Sequence, residues 1–184
     1  MDQMKKISVK AHLTLGIIIA TIVCLGVIVI GAVDAKAATW PAFFVMISFF
    51  ITGADIKNLP SIFIGSVTGL IISFLLLVAS APMMAACGAT GGLLILVWLA
   101  VFIIVFGGEF LPQAFNNFAF IYFTITLIFA AEAAKMTPAA IVSEYLIWAL
   151  TAVIGGGLIL AGIIGCITLA RKAGLVPPAD ASGH

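Results

Sequence analysis

The sequence predicts an all-α fold: a polytopic membrane protein with six transmembrane helices arranged as two inverted three-helix repeats. Three observations lead to this prediction. Of the 184 residues, 64% are apolar and only 8% are charged, which is far from the composition of soluble domains. The apolar residues form long runs, about as long as the ~20 residues that a helix needs to cross the hydrocarbon. The two halves of the chain also resemble each other.

The apolar runs, separated by charged residues, prolines or glycines, are the candidates for the six helices. They cover 13–33, 39–53, 61–81, 91–107, 112–131 and 139–170. The second run is short, since its length corresponds to only about 22 Å of helix. We therefore expect it to borrow from its flanks, to thin the bilayer or to end inside the protein. The last run is long, and its Gly155-Gly156-Gly157 segment favours a kink or a close helix contact.

The basic residues predict the orientation of the helices. With a cytoplasmic N-terminus and six crossings, one set of basic residues lies inside: Lys5, Lys6, Lys10, Lys57, Arg171 and Lys172. Only Lys36 and Lys135 then lie outside, as the positive-inside rule expects. Cleavage of the first segment as a signal peptide is the alternative. We expect the segment to be retained, because the run Leu13 to Val33 is longer than a usual signal core.

An internal repeat relates the two halves. Phe43 and Phe50 have the same spacing as Tyr122 and Phe129, and each pair is followed by a lysine and then a proline. A half with three crossings changes direction when it is repeated, so the halves would be inverted. The predicted organisation is a cytoplasmic N-terminus 1–12, a first repeat 13–81, an external linker 82–90, a second repeat 91–170 and a cytoplasmic polar tail 171–184.

Several short segments carry a resemblance to a known family. They are W-P-A-F-F ending in F-F-I-T-G, the helix L-P-S-I-F-I-G-S-V-T-G, and Y-F-T-I-T-L-I-F-A-A followed by a Pro-led helix. Over most of its length the chain resembles the YcdZ-like family of small bacterial inner-membrane proteins. The resemblance implies a compact multi-pass bundle in the bacterial cytoplasmic (inner) membrane, and it implies no substrate. The family's loop after the first aromatic pair tends to be Gly-rich, whereas here it is G-A-D-I-K-N-L-P, so the resemblance assigns no role to Asp55.

The sequence offers little for enzyme chemistry, and we expect a protein that is not an enzyme and has no cofactor. No Ser-His-Asp set, H-x-x-x-H pair or pair of intramembrane carboxylates can be assembled from its residues. Cys24, Cys87 and Cys166 lack metal-binding spacing, so we expect no metal site. The net charge is +1 and the basic residues are scattered, which disfavours nucleic-acid binding.

The second and fifth predicted helices carry both aromatic and hydroxyl side chains, which makes them candidates for a substrate path. Aromatic rings narrow a pore, and hydroxyls between them can bind a small polar solute. The alternative is that the rings face lipid or neighbouring helices. The predicted path residues are Phe43, Ser48, Phe50, Thr52, Tyr122, Thr124, Thr126 and Phe129.

Two further features have candidate roles. Glu144 is a carboxylate inside an apolar run and is therefore a candidate for proton coupling. Alternatively, it reaches interfacial water and is stabilised by the dipole of its helix N-terminus. Gly65 and Gly69 form a G-x-x-x-G surface for close helix packing, within one protomer or between protomers. We expect a homo-oligomer.

The first functional hypothesis is a membrane channel or facilitator for a small neutral or weakly charged polar solute, since no basic residue lies in the predicted core. The alternative is a non-transporting accessory or assembly subunit whose helices only pack against a partner. The expected partners are a small-molecule solute, the lipid bilayer and further copies of the chain.

Overall fold

The computed structural model describes residues 2–33, 38–129 and 135–175, and this part of the chain is helical, with no strand. The all-α prediction is therefore confirmed there. The helices are α1 (Asp2–Val33), α2 (Trp40–Ile51), α3 (Leu59–Cys87), α4 (Ala89–Phe110), α5 (Asn117–Ile128), α6 (Pro138–Leu150) and α7 (Gly156–Lys172). A 3-10 turn (Ile56–Asn58) precedes α3. A π-helical turn (Thr151–Gly155) joins α6 and α7 into one long helix, called the α6–α7 helix below.

Four helical segments within the described residues are long and apolar enough to cross a membrane. They are Leu13–Ala32, Ile56–Cys87, Ala89–Phe110 and Pro138–Lys172. By contrast, α2 and α5 each have 12 residues and reach only about 18 Å, against about 30 Å of hydrocarbon. The shortness of the second helix was expected. The fifth run, predicted as a span over 112–131, forms an equally short helix.

Local hydrogen bonds explain why α2 ends early. The Thr52 hydroxyl donates to the carbonyls of Ser48 and Phe49, at 3.0 and 2.9 Å. Gly53 and Ala54 then take positive φ angles of 78° and 57°, and the Ala54 N–H donates to the Phe49 carbonyl at 2.9 Å. This left-handed closure is a common way for a helix to terminate.

The segment 82–90, predicted as an external linker, is mostly helical. α3 continues through Pro82 to Cys87, and α4 begins at Ala89. Alanine and methionine in this segment favour helix, and the break falls on Gly88, whose φ of 77° suits glycine. The two long helices therefore meet in a one-residue turn.

Contacts between the long helices fix their relative directions. α1 runs antiparallel to α7, because Gly26 faces Ile159 while Gly162 faces Ile22. α3 also runs antiparallel to the α6–α7 helix: the Phe74 ring contacts Tyr145, and Phe63 lies next to Gly157. Consequently α1 and α3 point the same way, and the chain must reverse between them.

The short helix α2 makes this reversal between α1 and α3, and α5 makes the corresponding reversal between α4 and α6. α5 runs parallel to α3, since Asn116 binds Ser61 near the start of α3 and Ala119 meets Gly69 two turns later. α2 runs parallel to the α6–α7 helix: Trp40 contacts Trp148, and Val45 faces Gly156. The six helical segments therefore alternate in direction along the chain.

Charged residues gather at one end of the bundle. Because α3 and the α6–α7 helix are antiparallel, the N-terminal end of α3 and the C-terminal end of α7 are at the same end of the bundle. The exposed Lys57 is therefore at the same end as Arg171 and Lys172. Lys135 precedes α6 and lies at the opposite end. The predicted orientation of these ends with respect to a membrane stays a prediction.

Asn116 fixes the start of α5 and joins it to α3. Its side-chain oxygen accepts from the N–H groups of Phe118 and Ala119, at 2.9 and 3.2 Å. Its amide nitrogen donates to the backbone carbonyl of Ser61 at 3.2 Å and to its hydroxyl at 3.1 Å.

Replacing Asn116 by alanine should therefore destabilise the fold by about 1–2 kcal/mol, because the helix loses its N-cap. Thermal unfolding of the purified protein in detergent measures the effect. Asn117→Ala is the matched control, since the neighbouring Asn117 is exposed. Equal melting temperatures for the two variants would contradict the assigned cap.

Candidate functional site

An aromatic cluster lies where the two short helices meet α3 and α6. Seven rings are connected through centroid distances between 4.9 and 6.4 Å. They belong to Trp40, Phe44, Phe74, Tyr122, Phe129, Tyr145 and Trp148. These residues define the aromatic cluster below. Because α2, α3, α5 and α6 all contribute, the cluster is the common core of both halves of the chain.

Tyr122 connects the two short helices. Its side chain is fully buried, and its hydroxyl donates to the backbone carbonyl of Pro41 in the first turn of α2. The Trp40 and Phe44 rings pack beside it, at 5.7 and 6.4 Å. The Ser66 side chain of α3 is a further hydrogen-bonding neighbour. Tyr122 therefore holds α2, α3 and α5 together at one point.

Tyr145 makes the equivalent connection from α6. Its ring lies 4.9 Å from Trp148 and 5.4 Å from Phe74. The side chains of Ser73 and Thr126 lie near its hydroxyl. Polar atoms of α3, α5 and α6 are therefore close together inside an otherwise apolar bundle.

Buried hydroxyls surround the aromatic cluster, and most donate to their own helix. Ser66 donates to the Ile62 carbonyl at 2.6 Å, and Ser73 to the Leu70 carbonyl at 3.0 Å. Thr126 donates to carbonyls one turn earlier in α5, at 2.8 Å. The protons of these hydroxyls are therefore engaged, whereas their oxygens can still accept.

Among the side chains that the structure describes, three buried polar atoms have no hydrogen-bond partner: the indole nitrogens (Nε1) of Trp40 and Trp148 and the hydroxyl oxygen of Ser48. An indole N–H can only donate. Leaving a buried donor unsatisfied costs about 1–3 kcal/mol, so such groups are rare in native proteins and call for an explanation. Two of the three belong to the aromatic cluster.

The π-helical turn lies where α2 crosses the α6–α7 helix. Ala152 is fully buried there, and the following glycines, Gly155 and Gly156, face Ala42 and Val45 of α2. A side chain at Gly156 would approach the Val45 Cβ to 2.8 Å. The triple-glycine segment thus forms a close helix contact, and π-turns inside long helices are frequent at functional sites.

The structure brings only part of the predicted path together. Tyr122 and Phe129 belong to the aromatic cluster, and Thr126 lies beside it. Ser48 is also buried. Thr52 is half-buried at the end of α2, where its hydroxyl bonds to the backbone.

Phe43, Phe50 and Thr124 lie outside the cluster. Phe43 packs on the α1–α7 side, against the group that contains Ile159 and Ile163. The Phe50 side chain is 38% exposed, and Thr124 is exposed. Within the part of the chain that the structure describes, no channel path runs between α2 and α5.

Sequence reasoning missed Trp40, Tyr145 and Trp148 as site residues. Trp40 stands at the start of α2, and its indole nitrogen is buried. Tyr145 and Trp148 are three residues apart in α6, a spacing that places two amphipathic aromatic side chains on one helical face. That spacing is the signal that could have identified them.

The other candidate residues are not members of the aromatic cluster. Glu144 is half-buried in the second turn of α6, and its role in proton coupling stays a prediction. Gly65 and Gly69 of α3 face Asn116 and Ala119, so this glycine pair lies against α5. Among residues 2–33, 38–129 and 135–175, no three His, Cys, Asp or Glu side chains are grouped as metal ligands would be.

Two apolar grooves open on the surface of the bundle. One, of about 250 Å³, lies between α1 and α7 and includes Gly26 and Ile159. The other, of about 270 Å³, lies between α3 and α6 and is bounded by Phe74 and Tyr145. The second groove therefore reaches the aromatic cluster from the side.

Comparison with protein-family models finds no match, and comparisons with curated proteins and with solved structures find no significant similarity. The resemblance to the YcdZ-like family accordingly stays a prediction, and function is argued from the site alone.

Proposed function

We propose that the protein is a membrane facilitator for a small, uncharged polar solute, which crosses between two inverted three-helix repeats at the aromatic cluster. The observation that carries the proposal is the buried polar core. Hydroxyls and two unpartnered indole N–H groups converge where two half-length helices meet. Polar groups at membrane depth are costly, and they commonly mark a solute pathway. Short helices that end inside the protein are a recurrent element of transporter binding sites.

The packing of the helices supports the inverted repeat. In the first half, α1 and α2 pack on the α6–α7 helix of the second half. In the second half, α4 and α5 pack on α3 of the first. In each half, the first two helices therefore pack on the third helix of the other half. This reciprocal packing is expected for halves related by an axis in the membrane plane.

The buried faces of α2 and α5 suggest a register for the repeat. The helices have equal length, and aligning their ends pairs Ala42 with Ala119 and Val45 with Tyr122, all of them fully buried. This register differs by two residues from the one that the aromatic spacing predicts, which pairs Phe43 with Tyr122. Burial is the better guide, because equivalent helices should bury equivalent faces.

The charge distribution favours an uncharged solute. No Lys or Arg occurs between residues 58 and 134 or between 136 and 170. An anion bound at the cluster would be buried without a basic partner, which is unfavourable. We further propose an inner-membrane location with both termini cytoplasmic, because Lys57, Arg171 and Lys172 share one end of the bundle.

Solute flux into proteoliposomes tests the proposal. Stopped-flow light scattering with glycerol, urea and acetamide should show faster entry than into empty liposomes. Thr126→Val should reduce the faster flux about tenfold, as expected when one hydrogen bond to the solute is lost. Thr124→Val is the matched control on the same helix, because Thr124 is exposed whereas Thr126 is 1% exposed. Wild-type flux equal to that of empty liposomes would refute the proposal.

A non-transporting accessory subunit is the second candidate, and a face of α4 supports it. Trp98, Phe102, Phe106 and Phe110 form a continuous row of exposed rings, with neighbouring centroids 5.2–5.4 Å apart. Aromatic side chains are enriched at protein interfaces. Absence of flux, together with recovery of a second protein by native extraction, would favour this function.

A further inference from the structure

We infer that the solute binds through a carbonyl oxygen, which accepts hydrogen bonds from the indole N–H groups of Trp40 and Trp148. The inference rests on the proposed function and names the class of its substrate: small, neutral carbonyl compounds, such as simple amides.

The indole rings of Trp40 and Trp148 contact each other and share Phe129 as a neighbour. Their ring centroids are 5.3 Å apart in an edge-on arrangement. The Phe129 ring contacts both, at 5.8 Å from Trp40 and 5.5 Å from Trp148. Trp148 is only 4% exposed, and both indole nitrogens are buried and unpartnered. Two unpartnered donors, one from each half of the chain, thus lie in the aromatic cluster.

The missing partner of these donors must be an acceptor. Phe129 offers only an aromatic face, which accepts a weak hydrogen bond at most. The nearby hydroxyls of Ser73 and Thr126 adjoin Tyr145. An oxygen with two lone pairs can accept from two N–H groups at once. A carbonyl oxygen has this capacity and, unlike a hydroxyl oxygen, carries no proton that itself needs a buried acceptor.

The surrounding charges select a neutral carbonyl compound over a carboxylate. The nearest ionisable residue along α6 is Glu144, one turn before Trp148 and half-buried. Its negative charge would repel an anion, and neither α2, α3, α5 nor α6 carries a Lys or Arg. A buried carboxylate would therefore lack the basic partner that it needs.

The groove between α3 and α6 gives such a solute an approach. It is bounded by Leu70, Phe74, Tyr145 and Ala149, among other apolar residues, and Tyr145 packs against Trp148 at 4.9 Å. Tyr145 thus contacts both the groove and the Trp148 ring. An apolar wall suits a molecule that is small and uncharged.

Indole NMR signals test binding directly. The chain has three tryptophans, so ¹⁵N-labelled indoles give three signals, which single Trp→Phe variants assign. Acetamide should shift the Trp40 and Trp148 signals saturably and leave Trp98, which is 66% exposed on α4, unchanged. Glycerol, which has no carbonyl group, should shift neither. Parallel, non-saturating shifts of all three signals, or no shift at Trp40 and Trp148, would overturn the inference; the latter result is expected if the indoles bind only water.

Flux measurements separate this inference from the proposed function. Trp148→Phe keeps an aromatic ring but removes the donor, so acetamide flux should fall about tenfold more than glycerol flux, the effect of roughly one hydrogen bond. Trp40→Phe should do the same, and Trp98→Phe should change neither flux. Equal losses for both solutes would overturn the carbonyl site and leave the facilitator intact. No flux in the wild type would overturn the facilitator, while the NMR titration would still decide binding.

Discussion

Trp148→Ala should destabilise the protein by about 3–5 kcal/mol, the usual cost of removing a large buried aromatic side chain. Trp148 is 4% exposed and contacts Trp40, Phe129 and Tyr145 at centroid distances of 5.3, 5.5 and 4.9 Å. Since water-driven burial is weak between membrane helices, the loss comes chiefly from packing. Denaturation of the purified protein in mixed micelles, followed by circular dichroism, measures it.

Trp98→Ala is the matched control for this experiment. Trp98 has the same side chain, but it is 66% exposed on α4 and stacks only on Phe102. Its loss should cost well under about 1 kcal/mol, like most exposed substitutions. Comparable destabilisation by the two variants would show that the aromatic cluster is not the core of the fold.

Gly69→Leu should destabilise the fold by about 3 kcal/mol, at the upper end of the usual cost of overpacking. A Cβ atom at Gly69 would collide with the Ala119 carbonyl oxygen and approach the Tyr122 Cβ to 2.9 Å. Both obstacles belong to or adjoin the α5 backbone, so rotation of a side chain cannot relieve them. α5 would have to move away from α3, and Tyr122 would move with it. Thermal unfolding and size-exclusion profiles in detergent report the change.

Gly165→Leu in α7 provides the control, because no atom lies within 4 Å of a Cβ added there. It introduces the same side chain into a helix of similar composition and should leave the melting temperature nearly unchanged. If both variants unfold at the same temperature, the close approach of α3 and α5 is not what stabilises this part of the bundle.

The sequence predicts the fold class well, but it does not predict which residues of each helix face the interior of the bundle. Long apolar runs and helix-ending residues identify the helices, because length and composition decide whether a segment can cross a bilayer. Within those helices nearly every residue is apolar, so no polar face distinguishes the outside from the inside. Phe43 and Phe50 could not be distinguished from Val45 and Phe49 as inward residues, although the structure buries only the latter two.

The candidate site was predictable only where a single helix carried the signal. Tyr122 and Thr126 share one helix and were found together. The pairing of Trp40 with Trp148 joins residues more than 100 positions apart, and no local pattern reports such a contact. The length of α5 also escaped prediction, although Asn116 is a common N-cap residue that could have marked the start of the helix.

The exchanged packing of the halves has a consequence for the order of events during synthesis. α1 and α2 find their main partner in the α6–α7 helix, which is synthesised after them. The two early helices must therefore wait, with the faces that pack on this helix uncovered, until it has been made. Folding governed by such distant contacts is slow, and the unassembled intermediate is the species most exposed to misassociation and degradation. The α6–α7 helix thus completes both halves of the protein in a single step.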